Sequence, residues 1–308
     1  MKRIALAALV AALIAALTGG CASVAPKPPA ELFFDDFSQH DLAGLGSSGW
    51  VLRTAAGHPG LEGARWEPSA IELVDDADQP GNRFLRLNAH TDGTGANTVQ
   101  TQLCQQRKFL GGTYAARVRF YDQPQSGAAG DPVIQSFYAV NPLRFDFDPE
   151  YSELDWEYVG QGAWGNAKPR IYSVTWETVR LEPWTSYNQA HEEFGSLKGW
   201  HVLMMQVADG HTHWFVDGRK VAEHSGRNYP VSLMAISFNL WIHPDGLLPS
   251  SAGTRTYRED VDWVFHARNM VLSPAEVEAQ VQALRSSGQA RVDTVPSPQP
   301  VLESRCDI

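Results

Sequence analysis

Residues 151–160 read Tyr151-Ser152-Glu153-Leu154-Asp155-Trp156-Glu157-Tyr158-Val159-Gly160. Glu153, Asp155 and Glu157 alternate with Leu154, Trp156 and Tyr158. A backbone with a side-chain period of two puts the three carboxyls on one face of a strand and the large apolar side chains on the other. A helix would turn by about 100° per residue, scatter the acids and leave no apolar face. The stretch reads as a strand whose apolar side lies in a core and whose acidic side points away from it. Three like charges on one face repel, so that face must be solvated, metal-bound or put to use.

Working outward, strand-like runs rich in β-branched and aromatic residues recur at Arg83–Leu87, Thr113–Phe120, Val133–Val140, Arg170–Trp176, Trp200–Val207 and Val231–Ile242. Gly, Pro, Asn and Asp clusters separate them. Asp209-Gly210 and Asp217-Gly218 divide Trp200–His224 into three runs, and Asp-Gly accepts the positive φ of tight hairpin turns, so this part reads as a three-stranded meander. Between residues 33 and 272 no segment carries a helical period and none repeats. One all-β sandwich or barrel is expected. A short helix follows at 273–288: Ser273-Pro274 supplies the cap and first position, Glu276 and Glu278 suit the positive helix end, Val277, Val281 and Leu284 form an apolar stripe, and Gly288 stops it. It is expected to cap the sandwich. Residues 289–308, rich in Pro and Ser, are expected to form a flexible tail.

The 308 residues are 43% hydrophobic and 19% charged, enough apolar material for a sizeable core. The net charge of -10 leaves no basic surplus to displace counterions from a phosphate backbone, which excludes nucleic acid as a partner. Ten tryptophans suit a neutral partner with flat apolar faces, of which sugars are the commonest.

The N-terminus reads as an address. Lys2 and Arg3 precede an apolar run from Ile4 to Leu17, then Thr18-Gly19-Gly20-Cys21. This has the form of a signal peptide over residues 1–20, too short to remain as a membrane-spanning helix. Cys21 makes it similar to a bacterial lipoprotein signal, with Cys21 the lipidation site and residues 21–32 a lipidated, Pro-rich linker. Thr18 stands where such signals prefer Leu. The expectation is an exported monomer held on the bacterial cell envelope by its lipid alone, in the outer membrane if the cell is Gram-negative. Lipidation leaves Cys104 and Cys306, an even number in an exported protein, which could pair and pin the tail.

A sugar partner gives the acidic face a use. Retaining glycosidases need two carboxyls about 5–5.5 Å apart, one as nucleophile and one as acid/base. Positions i and i+4 are roughly 13 Å apart at Cα, a gap that two Glu side chains leaning together on a concave face can close. The shorter Asp between them would bond one of them and bias the shared proton. Trp164, Trp176 and Trp241 are aromatic neighbours of the kind a sugar site wants. A structural calcium ion near Asp146 and Asp148 is not indicated, since no EF-hand-like spacing is present, and no cofactor is required. His211 and His213 share a strand face but are two metal ligands without a third. No Gly-x-Ser-x-Gly turn supports a serine hydrolase.

At these residues the chain resembles glycoside hydrolase family 16, whose hallmark strand is Glu-x-Asp-x-Glu. Glu153-Leu154-Asp155-Trp156-Glu157 is its unbulged form. His213-Trp214-Phe215-Val216-Asp217-Gly218, Phe238-Asn239-Leu240-Trp241 and Val261-Asp262-Trp263-Val264 resemble three further family segments in the same order. The likeness covers about residues 33–272. It implies a concanavalin A-like jelly-roll of two curved antiparallel sheets, with Glu153 the nucleophile, Glu157 the acid/base and Asp155 the supporting carboxyl. It implies an endo-acting β-glycanase for a glucan or galactan, with Asn239 and Trp241 facing the sugar. Tyr138 could stack where the family usually has a tryptophan, and Glu182–Asn188 looks like an insertion. The same residues would serve a transglycosylase. A glycan-binding lipoprotein without turnover would show loss of one acid, and none is lost.

Overall fold

The structure, a computed structural model, describes residues 31–38 and 41–306; the expected signal segment, Cys21 and nearly all of the linker lie outside the described residues. The first strands are β1 (Leu32–Asp35), β2 (Val51–Leu52), β3 (Arg65–Trp66), β4 (Ile71–Asp75), β5 (Arg83–Thr91) and β6 (Val99–Cys104). They are followed by β7 (Gly112–Phe120), β8 (Val133–Val140), β9 (Glu153–Val159), β10 (Arg170–Arg180), β11 (Thr185–Phe194) and β12 (Gly199–Ala208). The last are β13 (His211–Val216), β14 (Arg219–Ser225), β15 (Ala235–Ile242), β16 (Arg255–Arg268) and β17 (Arg291–Asp293), with helices α1 (Leu42–Ser47) and α2 (Pro274–Ser286).

One antiparallel sheet runs β2-β6-β15-β8-β9-β10-β11. In the other, β16 lies between β7 on one side and β5 and β1 on the other, and β7 continues into β12, β13 and β14. This is the all-β jelly-roll with a short C-terminal helix that the sequence implies. The meander forms as β12-β13-β14, with Asp209, Gly210, Asp217 and Gly218 all at positive φ.

Burial sets the parity of β9. Leu154, Trp156 and Tyr158 are at most 1% exposed and join Phe137, Phe238 and Leu240 of their own sheet to Tyr114, Leu203, Met205 and Trp214 of the other. Trp156 and Trp214 meet edge-on with centroids 5.0 Å apart. Side chains of this size each contribute about 1.5–3 kcal/mol when buried. A slip of one residue would bury the three carboxyls and expose this apolar set. The core therefore holds the acids on the opposite, groove face.

Helix α2 begins with a capping box between Ser273 and Glu276 and lays Val277, Val281 and Leu284 on the outer face of the second sheet, against Phe34, Met204, Trp263 and Phe265. Two expectations need correction. Residues 289–308 are not a loose tail over their described part: β17 pairs with β1, Val295 joins the core, and Cys306 is bonded to Cys104. The Pro/Ser composition concealed this because one short strand and one distant covalent bond hold the segment. The Glu182–Asn188 stretch forms the hairpin turn into β11, whose polar residues lie on an exposed strand without an alternating pattern. The run expected from Val231 becomes strand only at Ala235.

Candidate active site

Register across the first sheet aligns the groove face in rows. Glu153 sits between Val140 and Trp176, Asp155 between Tyr138 and Val174, and Glu157 between Ser136 and Tyr172. Beyond Ser136 the Glu157 row continues through Asn239 to Gln102, and the Asp155 row runs from Tyr138 through Ser237 to Cys104. All three acids thus share one face, Asp155 buried and the two glutamates partly exposed.

Their surroundings differ. The Tyr151 hydroxyl donates to Glu153 Oε2 at 2.5 Å, and Trp176 Nε1 donates to Asp155 Oδ2 at 2.6 Å. Burial pushes Glu153 up to about 7, while hydrogen bonds from Tyr151 and from a protonated Asp155 pull the other way. Burial also drives Asp155 well above the usual carboxylate range, aided by the negative charges of Glu153 and Glu157. Burial and then the Glu153 charge push Glu157 up to about 8. Three clustered carboxyls cannot all ionise, and the one served by two donors keeps its charge most easily. Glu153 is that group. Glu157, opposed only by burial and a like charge, is best suited to hold a proton near neutrality.

The aromatic candidates line the same groove. Trp176 is the hydrogen-bond donor to Asp155 and meets Trp184 edge-on at 6.1 Å. Trp184, half exposed on the β10–β11 turn, stacks on His58 at 5.3 Å. Toward the other end, Trp241 packs with Trp66, Ile134, Val159 and Ala163. Trp164 is 44% exposed, edge-on to Tyr172 and His243. Asn239 lies beside Ser136, and its Oδ1 and Ser136 Oγ are buried without partners among the described residues, acceptors free for a ligand's hydroxyls. Tyr138 is 4% exposed, and its hydroxyl receives a bond from Gln102, so it forms floor rather than an open stacking face.

The tail closes the β6 end of this groove. Cys104 belongs to the Asp155 row, so its disulfide with Cys306 lies on the groove face. Gln102 Nε2 and the buried Arg53 guanidinium both donate to the Cys306 carbonyl. Of the two aspartates weighed for calcium, Asp148 is held by Arg144 at 2.6 and 2.7 Å. Among the described residues one trio is placed to hold a metal, His211, His213 and Glu223, on the other sheet.

Sequence reading missed Tyr151, Gln102, Arg53, His58, Trp66, Tyr172 and Trp184. Tyr151 could have been found, because the period of two that aligns the acids also places it on the Glu153 side. Arg53 and His58 come from a connection with no pattern of its own.

Paired carboxyls in unequal hydrogen-bonding settings, on the aromatic-lined face of a jelly-roll, define a glycoside hydrolase. The sequence profile of glycosyl hydrolases family 16, a retaining family, matches residues 66–264, and the chain belongs to that family. The fold is similar to that of the Bacillus licheniformis β-glucanase, with a TM-score of 0.54 and 14% identity over 78% of this chain and 99% of that one. A family 16 endo-glucanase from Bacteroides ovatus gives 0.57 and 16%, covering 75% and 98%. The κ-carrageenase from Pseudoalteromonas carrageenovora gives 0.50 and 15%, covering 76% and 92%. Among curated proteins none matches the chain.

Proposed function

We propose that the protein is an exported, lipid-anchored endo-β-glycanase that cleaves a β-linked glucan or galactan with retention of configuration. The observation that carries this reading is the unequal setting of the two glutamates on one groove face: burial raises both, and hydrogen bonds from Tyr151 and Asp155 oppose that rise at Glu153 alone. In the first step a Glu153 oxygen bonds to the anomeric carbon as the glycosidic C–O bond breaks, and Glu157 gives its proton to the departing oxygen. In the second, Glu157 takes a proton from water, the water oxygen bonds to the anomeric carbon, and Glu153 leaves as carboxylate. Asp155, fixed by Trp176, holds Glu153 in place.

The relatives' names, β-glucanase, endo-glucanase and κ-carrageenase, support a polysaccharide of this class. The Cys104–Cys306 disulfide supports an oxidising compartment, and Cys21 after the basic and apolar leader supports the anchor. The test is proton NMR of the first-formed product. The β-anomer should appear first and then mutarotate, and Glu153→Gln should abolish it with the fold intact. An α-anomer formed first would contradict the proposal.

A further inference from the structure

The β13–β14 hairpin carries a second constellation, on the sheet that does not line the groove. Thr212, Trp214 and Val216 point into the core, so His211 and His213 point outward. Glu223 on β14 is the direct cross-strand partner of His213 and lies diagonally opposite His211. Its carboxylate reaches both: Oε1 is 2.8 Å from His211 Nδ1, and Oε2 is 3.4 Å from His213 Nε2. One ligand atom from each residue lies within 4.8 Å of the other two.

We propose that His211, His213 and Glu223 form a binding site for a late first-row divalent cation of the Zn2+ class. Two imidazoles and a carboxylate match the donor set of such ions, whereas Ca2+ and Mg2+ demand oxygen ligands throughout. A tetrahedral Zn2+ with bonds of about 2.0–2.1 Å holds its ligand atoms roughly 3.3 Å apart. Closing the trio onto an ion therefore needs side-chain adjustments of about an ångström. The side chains are 34–46% exposed, free to make that adjustment. Three protein ligands leave one position open, facing a surface depression of about 400 Å³ bordered by Gln206, Asp209 and Val271, where water or a small anion can complete the shell. Lys220 is the competitor: its Nζ is 2.6 Å from Glu223 Oε2 and neutralises the carboxylate. The cation must displace it.

The test is isothermal titration of the full chain, free of any histidine tag, with ZnCl2 and separately with CaCl2, and it needs no glycan. Expected are a single zinc equivalent bound per chain and no calcium signal. His213→Ala and Glu223→Gln should each weaken zinc by at least the roughly tenfold that even an outer-shell partner costs. Lys220→Met should tighten it, an effect that a purely structural ion-pair cluster would not show. Thermal melts confirm that these surface variants fold. Absence of stoichiometric zinc binding, or zinc binding that survives both ligand substitutions unchanged, overturns the site.

Discussion

Replacing Tyr151 by Phe removes one atom and one hydrogen bond. The ring is 2% exposed against Tyr138, Val140 and Val179, and Phe keeps that packing. The lost bond, hydroxyl to Glu153 Oε2 at 2.5 Å, favours the ionised carboxyl. A hydrogen bond to a charged group contributes about 1.5–3 kcal/mol, and a pKa unit corresponds to about 1.36 kcal/mol, so Glu153 should rise by about 1–2 units. Glu153 must be charged to attack. The acidic limb of the kcat/KM profile, set near 7 by Glu153, should therefore move to higher pH by about 1–2 units. The basic limb, where Glu157 loses its proton, should follow to higher pH, because the two carboxyls titrate as a pair. The assay is initial rate against pH on a soluble β-glycan, with the wild type in parallel. An unmoved acidic limb would refute the reasoning, and so would its shift to lower pH.

Trp184→Ala removes the half-exposed ring above Trp176 and His58 and touches no carboxyl. A loss of about 0.5–1.5 kcal/mol of aromatic contact predicts a roughly two- to twelvefold rise in KM with kcat little changed; a fall in kcat alone would count against a binding role. Cys306→Ser frees a segment closed by a bond across 202 residues of chain, and a cost of about 2–5 kcal/mol should appear as a lower Tm. The same variant opens the β6 end of the groove, so longer oligosaccharides should accumulate; an unchanged Tm would show the bond to be dispensable. Glu259 faces the core from β16, and burial drives its carboxyl well above the usual range. The folded chain holds that proton while the unfolded chain releases it, so this contribution is complete below the unfolded pKa and is lost as pH rises toward the folded one. Glu259→Gln should therefore gain on the wild type in Tm between mildly acidic and alkaline pH, and a constant difference would exclude ionisation as the cause.

Much of this was legible in the chain because the deciding stretch encodes its own geometry. Alternation of Glu153, Asp155 and Glu157 with Leu154, Trp156 and Tyr158 allows one conformation to bury the second set, and that conformation places the first on a common face. The Asp-Gly turns and the Ser273 cap are local in the same way. Trp176 was read as a sugar neighbour, but its bond to Asp155 depends on the pairing of β9 with β10, which no local pattern reports. Strand β11 stayed hidden because its exposed polar residues carry no period. The anchoring of the tail rests on two cysteines whose proximity only the folded sheet creates, and Glu223 completes the histidine pair only once β14 returns beside β13.

The central claim is that Glu153 forms a covalent bond to sugar while Glu157 handles the proton. The most direct measurement is mass spectrometry of peptides from the wild type and Glu157→Ala, after incubation with a panel of β-glucans and β-galactans and with aryl glycosides of the sugars they cleave. Glu157→Ala should react with the activated aryl glycosides, which need no acid, and accumulate one sugar adduct on the peptide containing Glu153. An adduct on any other carboxyl, or turnover of the activated substrates with no adduct at all, would contradict the account.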